Sequence, residues 1–277
     1  MSSNAEHLAH LNAQIKSLED ANSMREPVLR DIIAALQLTP GSHGLDLGCG
    51  LGLQSVLLAD ALGSAGRVTG VDISPELLAY ARTRTRSLPQ ADRITFREGD
   101  MRRLPFPDRT FDWAWSADCV GYPAGDLAAV LNEIARVTRP GGTLTILAWT
   151  SQQVLPGYGL LEARLNATCS AYAPYLQPQP PHAHFMRALH AFAAAGLTDV
   201  TARTFVGNVQ APLTAESRTA LTSLFAMLWD TTQLAADSPD RLDYRRLCDP
   251  ASPDFVLNLP DYYAFFTYTV FTGCVAK

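Results

Sequence analysis

The sequence lacks the cysteine patterns that define metal-binding and disulfide-rich proteins. Its five cysteines are widely spread, odd in number and form no C-x-x-C pair, which excludes a zinc knuckle and a disulfide framework. Charged residues make up only 18% of the chain and hydrophobic residues 47%, which excludes a disordered protein. The 277 residues therefore predict a globular protein from a reducing compartment, with no metal site.

Dense positive charge is also missing. The formal net charge is −5, and Lys16 and Lys277 are the two lysines of the chain. Arg82, Arg84 and Arg86 form the densest basic run, and their spacing favours a solvated helix face over a phosphate-binding surface. We therefore expect no nucleic-acid partner.

Long apolar runs are absent as well. No segment approaches the roughly 18 uninterrupted apolar residues of a membrane span. The polar, helix-patterned residues 1–20 lack the apolar stretch of a secretory signal. The expected location is the cytoplasm, without a membrane partner.

Strand and helix patterns alternate through the first 150 residues. After two amino-terminal helices, at 5–20 and 24–37, the predicted strands are 44–48, 67–72, 93–98, 111–116 and 143–149, and the helices between them are 53–62, 75–87 and 125–137. A helix at 184–195, a strand at 198–206, a helix at 213–235 and a strand at 262–276 follow. This alternation predicts an α/β fold in which helices cover both faces of a parallel sheet and ligands bind at the carboxyl ends of the strands.

Two segments exceed what the strand–helix units require. Residues 151–183 and 207–261 are irregular, and glycine, proline and tyrosine concentrate in the first of them. We predict one domain over residues 1–277, with amino-terminal helices in 1–40 and these two segments as a cap over the active site. Four tyrosines are candidate walls of a pocket for a flat acceptor, although packing of the cap would select the same residues: Tyr122, Tyr158, Tyr172 and Tyr175.

The turn after the first predicted strand carries the sharpest motif. Residues 45–52 read LDLGCGLG, and alternate glycines allow the backbone of a tight turn to approach a ligand at the start of the next helix. Asp72 ends the second strand 20 residues after Gly52, where an acid can accept hydrogen bonds from both hydroxyls of a ribose. Asp46, inside the first strand, is expected to hold the glycine turn by accepting hydrogen bonds from the backbone amides of the turn. The motif predicts an adenosine-containing cofactor.

The third glycine helps to decide which adenosine derivative binds. The dinucleotide fingerprint G-x-G-x-x-G, if it began at Gly48, would require glycine at position 53. This chain has Leu53 there, so the turn does not match the dinucleotide fingerprint. After the third strand, Asp100 can accept a hydrogen bond from an adenine amino group while the Met101 amide donates to the ring. Acids are therefore predicted at both ends of an adenosine.

Four motifs together resemble the class I S-adenosylmethionine-dependent methyltransferases of the small-molecule type (EC 2.1.1). They are LDLGCGLG at 45–52, GVDIS at 70–74, EGDMRRLPFPDRTFD at 98–112 and RPGGTL at 139–144. The resemblance covers residues 40–150 most strongly. It implies a Rossmann-like, seven-stranded sheet with an antiparallel last strand and S-adenosylmethionine over the glycine turn.

The resemblance also implies a role for each matching residue. Asp72 holds the ribose, Ile73 packs on the adenine, and Asp100 and Met101 read the adenine edge. Gly48, Gly50 and the backbone near Ser116 meet the rest of the cofactor, with its methionine part at Gly48 and Ser116.

Methyl transfer from a sulfonium is an in-line displacement, so positioning is the main demand on the protein. A hydroxyl or amine acceptor also needs a base. Asp118, at the end of the fourth strand, and His182, after the proline-rich spacer, are the candidate catalytic residues. Asp112, Trp113, Trp115 and Cys49 are interpreted as structural.

Three alternatives remain open from the residues alone. The chain could bind S-adenosylmethionine but catalyse another reaction, act as a nicotinamide-dependent oxidoreductase, or use the fold as a non-catalytic binding module. The acceptor is expected to be a small molecule of aromatic or hydrophobic character. The aromatic residues 262–266 could cover a sheet edge or form a homodimer contact.

Overall fold

Seven strands form one sheet in the described part of the chain. The computed structural model describes residues 2–120, 127–168, 184–229 and 231–277. The strands are β1 (His43–Leu47), β2 (Arg67–Asp72), β3 (Ile94–Glu98), β4 (Phe111–Ala117), β5 (Thr138–Gln153), β6 (Thr198–Gln210) and β7 (Tyr263–Cys274). Their order across the sheet is β3-β2-β1-β4-β5-β7-β6.

Strand directions follow from the pairing. Strands β1 to β5 pair in parallel. Hydroxyl contacts join Thr201 on β6 to Thr272 on β7, and Thr204 on β6 to Thr269 on β7. Residue numbers therefore rise along β6 in the direction in which they fall along β7. This relation is antiparallel. The predicted α/β, Rossmann-like sheet with an antiparallel last strand is confirmed.

Helices connect and flank these strands. They are α1 (Ser2–Leu36), α2 (Leu53–Ala61), α3 (Pro75–Thr85), α4 (Leu127–Val137), α5 (Gly159–Asn166), α6 (Ala188–Ala194), α7 (Ala215–Leu228) and α8 (Pro239–Cys248). Short 3₁₀ turns occur at Ala91–Arg93, Phe185–Arg187, Thr231–Gln233 and Val256–Asn258. No helix in the described ranges is both long and apolar enough to span a bilayer.

The chain divides into two compact units. The larger unit contains Leu29–Trp149, Pro178–Phe205 and Tyr268–Lys277, and it holds strands β1 to β4. The smaller unit contains Met1–Val28, Thr150–Gln177 and Val206–Thr267, and it holds helices α5, α7 and α8. The segments predicted as a cap fall mostly within the smaller unit.

Helix α4 shows how sequence pattern builds the core of the larger unit. Leu127, Val130, Leu131, Ile134 and Val137 recur at the spacing of one helix face, and all five are buried. They join a cluster with apolar residues of β1, β4 and β5. A helix against a buried parallel sheet is the packing that the alternating pattern predicts.

A buried acid organises the smaller unit. The Glu162 carboxylate on α5 accepts hydrogen bonds from the amides of Val154 and Leu155, each at 2.9 Å. The Tyr262 hydroxyl donates to the Val154 carbonyl at 3.0 Å. Burial raises the pKa of Glu162, and the two amides offset part of that cost.

Several predicted boundaries were wrong. The two amino-terminal helices are one helix, α1, which continues through Pro27. The lost hydrogen bond at Pro27 is offset by burial of Met24, Val28 and Leu29 around it. Strand β5 begins at Thr138 instead of Thr143, because the intervening glycine-containing segment bulges: Thr138 pairs with Phe111, but Thr143 pairs with Trp113.

The sequence analysis also missed helices α5 and α8. A start signal for α8 was present, since Ser238 precedes Pro239 and its hydroxyl accepts a hydrogen bond from the Arg241 amide at 3.4 Å. Helix α7 ends at Leu228, earlier than predicted.

Replacing Gly44 by alanine tests the packing of β1 on β4. A methyl group at this position would lie 1.9 Å from Cζ2 of the buried Trp113. We expect Gly44→Ala to lower the free energy of unfolding by about 1–3 kcal/mol through overpacking. Urea denaturation measures this change.

Gly159→Ala is the matched control, because a methyl group there meets its nearest neighbour, Gln153 Nε2, at 3.5 Å. Its unfolding free energy should stay unchanged or rise by up to about 1 kcal/mol. Equal losses in both variants would contradict the packing argument.

Candidate functional site

The glycine turn between β1 and α2 leaves one open position. Gly48, Gly50 and Gly52 have φ values of 69°, 50° and 71°. A methyl group at Gly48 would lie 2.2 Å from the Cys119 sulfur, and one at Gly52 would lie 2.6 Å from the Phe96 ring. Nothing lies within 4 Å of the corresponding point at Gly50. Gly48 and Gly52 are therefore required by packing, whereas the space beside Gly50 is open.

Hydrogen bonds fasten this turn to the end of β2. The amides of Gly48 and Cys49 both donate to the Val71 carbonyl, at 2.8 and 3.0 Å. The Gly52 amide donates to the Cys49 carbonyl at 2.8 Å. The turn is therefore fixed against the residue that precedes Asp72.

Asp72 links the same turn to helix α3. Its Oδ2 accepts a hydrogen bond from the Gly50 amide at 2.9 Å, and its Oδ1 accepts one from the Ser74 amide at 3.0 Å. Ser74 itself caps α3 by accepting from the Leu77 amide at 3.2 Å, so Asp72 is not needed as the cap. Each carboxylate oxygen retains a lone pair for a further donor.

The residues expected at the adenine differ in exposure. Ile73 is 66% exposed, which is unusual for an isoleucine and leaves an apolar surface to be covered. Asp100 is held by Arg102, whose Nη2 lies 2.6 Å from Oδ2, and this ion pair lowers the pKa of Asp100 to about 2. Met101 is half-buried against the core of the larger unit.

The segment that carries Asp100 and Met101 is anchored further along by α4. Glu133 Oε1 accepts a hydrogen bond from the Leu104 amide at 2.7 Å. Arg136 donates to the Leu104 and Phe106 carbonyls, at 3.2 and 2.9 Å. The sequence analysis missed this pair of charged residues, because neither belongs to a motif of the cofactor site.

Ser116 joins the ends of β4 and β1. Its buried hydroxyl donates to the Leu47 carbonyl at 3.0 Å and accepts from the Val120 amide at 3.2 Å. The side chain is therefore committed to the protein, and the backbone remains the part that was expected to face the cofactor.

Asp118, a candidate base, is engaged on both carboxylate oxygens. Oδ1 accepts a hydrogen bond from the Trp149 amide at 2.8 Å, and Oδ2 accepts one from the Tyr268 hydroxyl at 2.9 Å. Its φ of 52° turns the chain sharply after β4. These contacts favour a positioning role in the turn that leads to Cys119.

Other predicted site residues fall outside the described ranges. These are His182, the second candidate base, and three of the four tyrosines: Tyr122, Tyr172 and Tyr175. The fourth, Tyr158, belongs to the smaller unit, where the Arg246 guanidinium lies 5.7 Å from its ring centre.

Asp46 has a different partner from the one expected. It is buried and accepts a hydrogen bond from the Ser55 hydroxyl at 2.5 Å, while the amides of the turn donate to Val71 and Asp72. Burial raises its pKa to about 7, the Ser55 hydrogen bond lowers it, and the Asp72 charge raises it. The expected contact was wrong because the Val71 carbonyl and the Asp72 carboxylate already accept hydrogen bonds from those amides.

The residues interpreted as structural are confirmed in that role. The indole nitrogens of the buried Trp113 and Trp115 donate to Ser42 Oγ and Gln54 Oε1, at 2.9 and 2.8 Å. Asp112 accepts from the His43 amide at 2.8 Å and pairs with Arg139. Burial raises the pKa of the Cys49 thiol far above its usual range, which suits a packing residue.

The fold and the glycine turn define a Rossmann-like protein that binds a nucleoside-containing cofactor. Residues 45–142 match the family described as "Methyltransferase domain". A demethylmenaquinone methyltransferase from Bacillus licheniformis is 34% identical over 201 residues, which cover 66% of this chain and 82% of the relative. The chain belongs to the class I S-adenosylmethionine-dependent methyltransferases, enzymes whose cofactor is S-adenosylmethionine.

Other relatives match over different lengths. A 2-phytyl-1,4-naphtoquinone methyltransferase from Synechococcus elongatus is 36% identical over 58% of this chain and 78% of the relative. A demethylmenaquinone methyltransferase from Lysinibacillus sphaericus is 36% identical over 46% of this chain and 53% of the relative. This chain thus matches about half the length of the latter enzyme.

Solved structures share the fold. The YcgJ protein from Bacillus subtilis aligns with a TM-score of 0.54 at 17% identity, over 91% of this chain and 99% of the other. A Haemonchus contortus phosphoethanolamine N-methyltransferase, in complex with S-adenosylmethionine, aligns with a TM-score of 0.54 at 19% identity, over 90% of this chain and 52% of the other. These identities support the fold alone.

Asp72→Asn tests the predicted ribose contact. The change removes the negative charge and leaves one amide oxygen as an acceptor, so we expect S-adenosylhomocysteine to bind about 10–100-fold more weakly. Isothermal titration calorimetry measures the affinity, and thermal melting checks that the turn still folds.

The control is Asp31→Asn, which removes an exposed carboxylate from α1. It should bind like the wild type. Undiminished binding in a folded Asp72→Asn variant would rule out the contact.

Proposed function

We propose that this chain transfers a methyl group from S-adenosylmethionine to a small-molecule acceptor that carries an aromatic ring of the quinone or hydroquinone type. The observation that carries the proposal is the relationship to two quinone-directed enzymes. They are 34% and 36% identical to this chain over 82% and 78% of their own lengths. A shared ring chemistry is the simplest reading of that relationship.

The cofactor placement rests on the glycine turn and the residues next to it. Gly50 presents open backbone, and two amides have already oriented the Asp72 carboxylate before a ribose arrives. The exposed Ile73 offers an apolar surface to the adenine, and covering it adds a hydrophobic contribution. We propose that Asp100 and Met101 read the adenine edge, with Arg102 keeping the Asp100 carboxylate ionised.

The methionine end of the cofactor is proposed to lie beside Gly48 and the end of β4. A side chain on Gly48 would collide with Cys119, so the two chain segments approach closely there. The Ser116 hydroxyl keeps these two segments together by donating a hydrogen bond to the Leu47 carbonyl. The backbone around Ser116 is thereby kept beside the glycine turn.

When bound, S-adenosylmethionine supplies an electrophilic methyl group on a sulfonium sulfur. An electron pair of the acceptor would form the new bond to the methyl carbon, the electrons of the broken carbon–sulfur bond would stay on the sulfur of S-adenosylhomocysteine, and the proton of the acceptor would pass to a base or to solvent. The protein contributes by holding the reacting atoms in line, which supplies about 7–11 kcal/mol of the barrier reduction in favourable cases. A rigid turn fixed by Val71 and Asp72 suits that task.

Catalytic roles for Asp118 and His182 stay predictions. The Asp118 carboxylate is bonded to Trp149 and Tyr268, so we propose that it positions the turn after β4. Methylation of a hydroquinone still releases a proton, which a base or solvent must accept. The cap role of 151–183 and 207–261, the cytoplasmic location and a homodimer also stay predictions.

The test offers the purified chain S-adenosylmethionine with 1,4-dihydroxynaphthalene under anaerobic reducing conditions. We expect S-adenosylhomocysteine to accumulate together with a product heavier by one CH₂ unit, as read by mass spectrometry. Asp72→Asn should lower the rate at subsaturating cofactor, while Arg86→Gln, an exposed change at the end of α3, should leave it unchanged.

Turnover with ethanolamine or glycine but not with the aromatic acceptor would contradict the proposed acceptor class. Cofactor binding without S-adenosylhomocysteine formation from either acceptor class would contradict methyl transfer itself.

A further inference from the structure

A groove on the sheet face of the larger unit has no part in the cofactor site. Its volume is about 390 Å³, which is in the range of small-molecule pockets. Strands β1, β2 and β3 form its floor, and residues 105–111 form one wall. None of its lining residues belongs to the glycine turn or to the predicted adenosine contacts.

The floor is a row of polar side chains across three strands. His43 Nε2 lies 2.9 Å from Thr69 Oγ1, which lies 3.2 Å from Thr95 Oγ1. Burial lowers the pKa of His43, which favours the neutral ring. The row therefore makes the floor polar without giving it a charge.

The wall is apolar and aromatic. The rings of Phe106 and Phe111 meet edge to face with 5.0 Å between their centres, and Phe111 meets the His43 ring at 4.8 Å. Pro105 and Pro107 flank Phe106 along the groove. Such a surface suits the face or edge of another aromatic ring.

Two arginines supply uncompensated positive charge. Arg67 and Arg97 are exposed, and neither guanidinium forms a hydrogen bond or an ion pair with any of the described residues. The Arg97 guanidinium lies 5.8 Å from the centre of the Phe106 ring, beside the apolar wall. Arg93 is already committed, since it donates to the Ala59 and Gly63 carbonyls at 2.5 and 2.8 Å.

The acidic balance of the chain makes this groove distinctive. The formal net charge is −5, yet the lining contains three arginines and one acid, Asp92. A planar guanidinium favours a carboxylate, which it can bind with two parallel hydrogen bonds. A ligand that is aromatic at one end and anionic at the other therefore matches both parts of the groove.

We propose that this groove is a second ligand site, which binds a small aromatic carboxylate. The carboxylate pairs with Arg97, whose guanidinium lies beside the Phe106 ring, and the ligand ring packs against Phe106 and the neighbouring prolines. The charge of Arg67 attracts the anion from further along β2. The site is separate from the cofactor turn and does not depend on the identity of the methyl acceptor.

Benzoate is the probe for the full-length chain, followed by amide shifts in two-dimensional NMR. We expect saturable shifts at Thr69 and Thr95 and binding about 10-fold weaker or more in Arg97→Gln, because this change removes a charge-assisted contact. Arg67→Gln removes a more distant charge and should weaken binding by a smaller factor. Arg86→Gln is the control, since Arg86 is exposed but lies outside the groove. Saturating S-adenosylhomocysteine should leave the benzoate affinity unchanged.

Two further probes separate charge from ring. Benzyl alcohol keeps the ring without the charge and acetate keeps the charge without the ring, so both should bind about 10-fold more weakly than benzoate or worse. The proposal is overturned if benzoate gives no saturable shift in the groove, or if Arg97→Gln binds it like the wild type. Competition with S-adenosylhomocysteine, or acetate binding as tight as that of benzoate, would also overturn it.

Discussion

The Asp72 carboxylate fixes the turn after β1 and the start of α3 in one arrangement, and the proposed cofactor site is built around it. One oxygen receives the Gly50 amide and the other receives the Ser74 amide. The turn after β1 and the start of α3 are thereby tied to the end of β2 before any ligand binds. Preorganisation of this kind reduces the cost of ordering the site during binding.

Backbone packing explains why the turn needs glycine at three positions for two different reasons. Gly48 and Gly52 leave no room for a side chain, because Cys119 and Phe96 press against them. Gly50 has ample room and is open on the side where a ligand can approach. The buried Asp46 beneath the turn carries a cost, seen in its raised pKa, which the Ser55 hydroxyl offsets in part.

Much of the fold was predictable because, along residues 44–137, the spacing of hydrophobic residues and the turn-forming residues indicate the same strand and helix boundaries. The extent of α1 could not be predicted, because a proline ordinarily ends or kinks a helix. Helix α1 continues through Pro27 because the residues around it are buried. In the candidate site, Asp72 could be named as the candidate for ribose binding from its position at the end of β2. The hydrogen bond of Asp118 to Tyr268 could not be predicted, because Tyr268 follows Asp118 by 150 residues and no local pattern records that β7 lies beside β5.

A crystal structure with S-adenosylhomocysteine tests the central claim most directly. The account predicts the cofactor over the turn of Gly48–Gly52, with ribose oxygens about 2.6–3.2 Å from the Asp72 carboxylate and the adenine against Ile73. A ribose that leaves Asp72 without contact, or a cofactor bound away from the glycine turn, would contradict it.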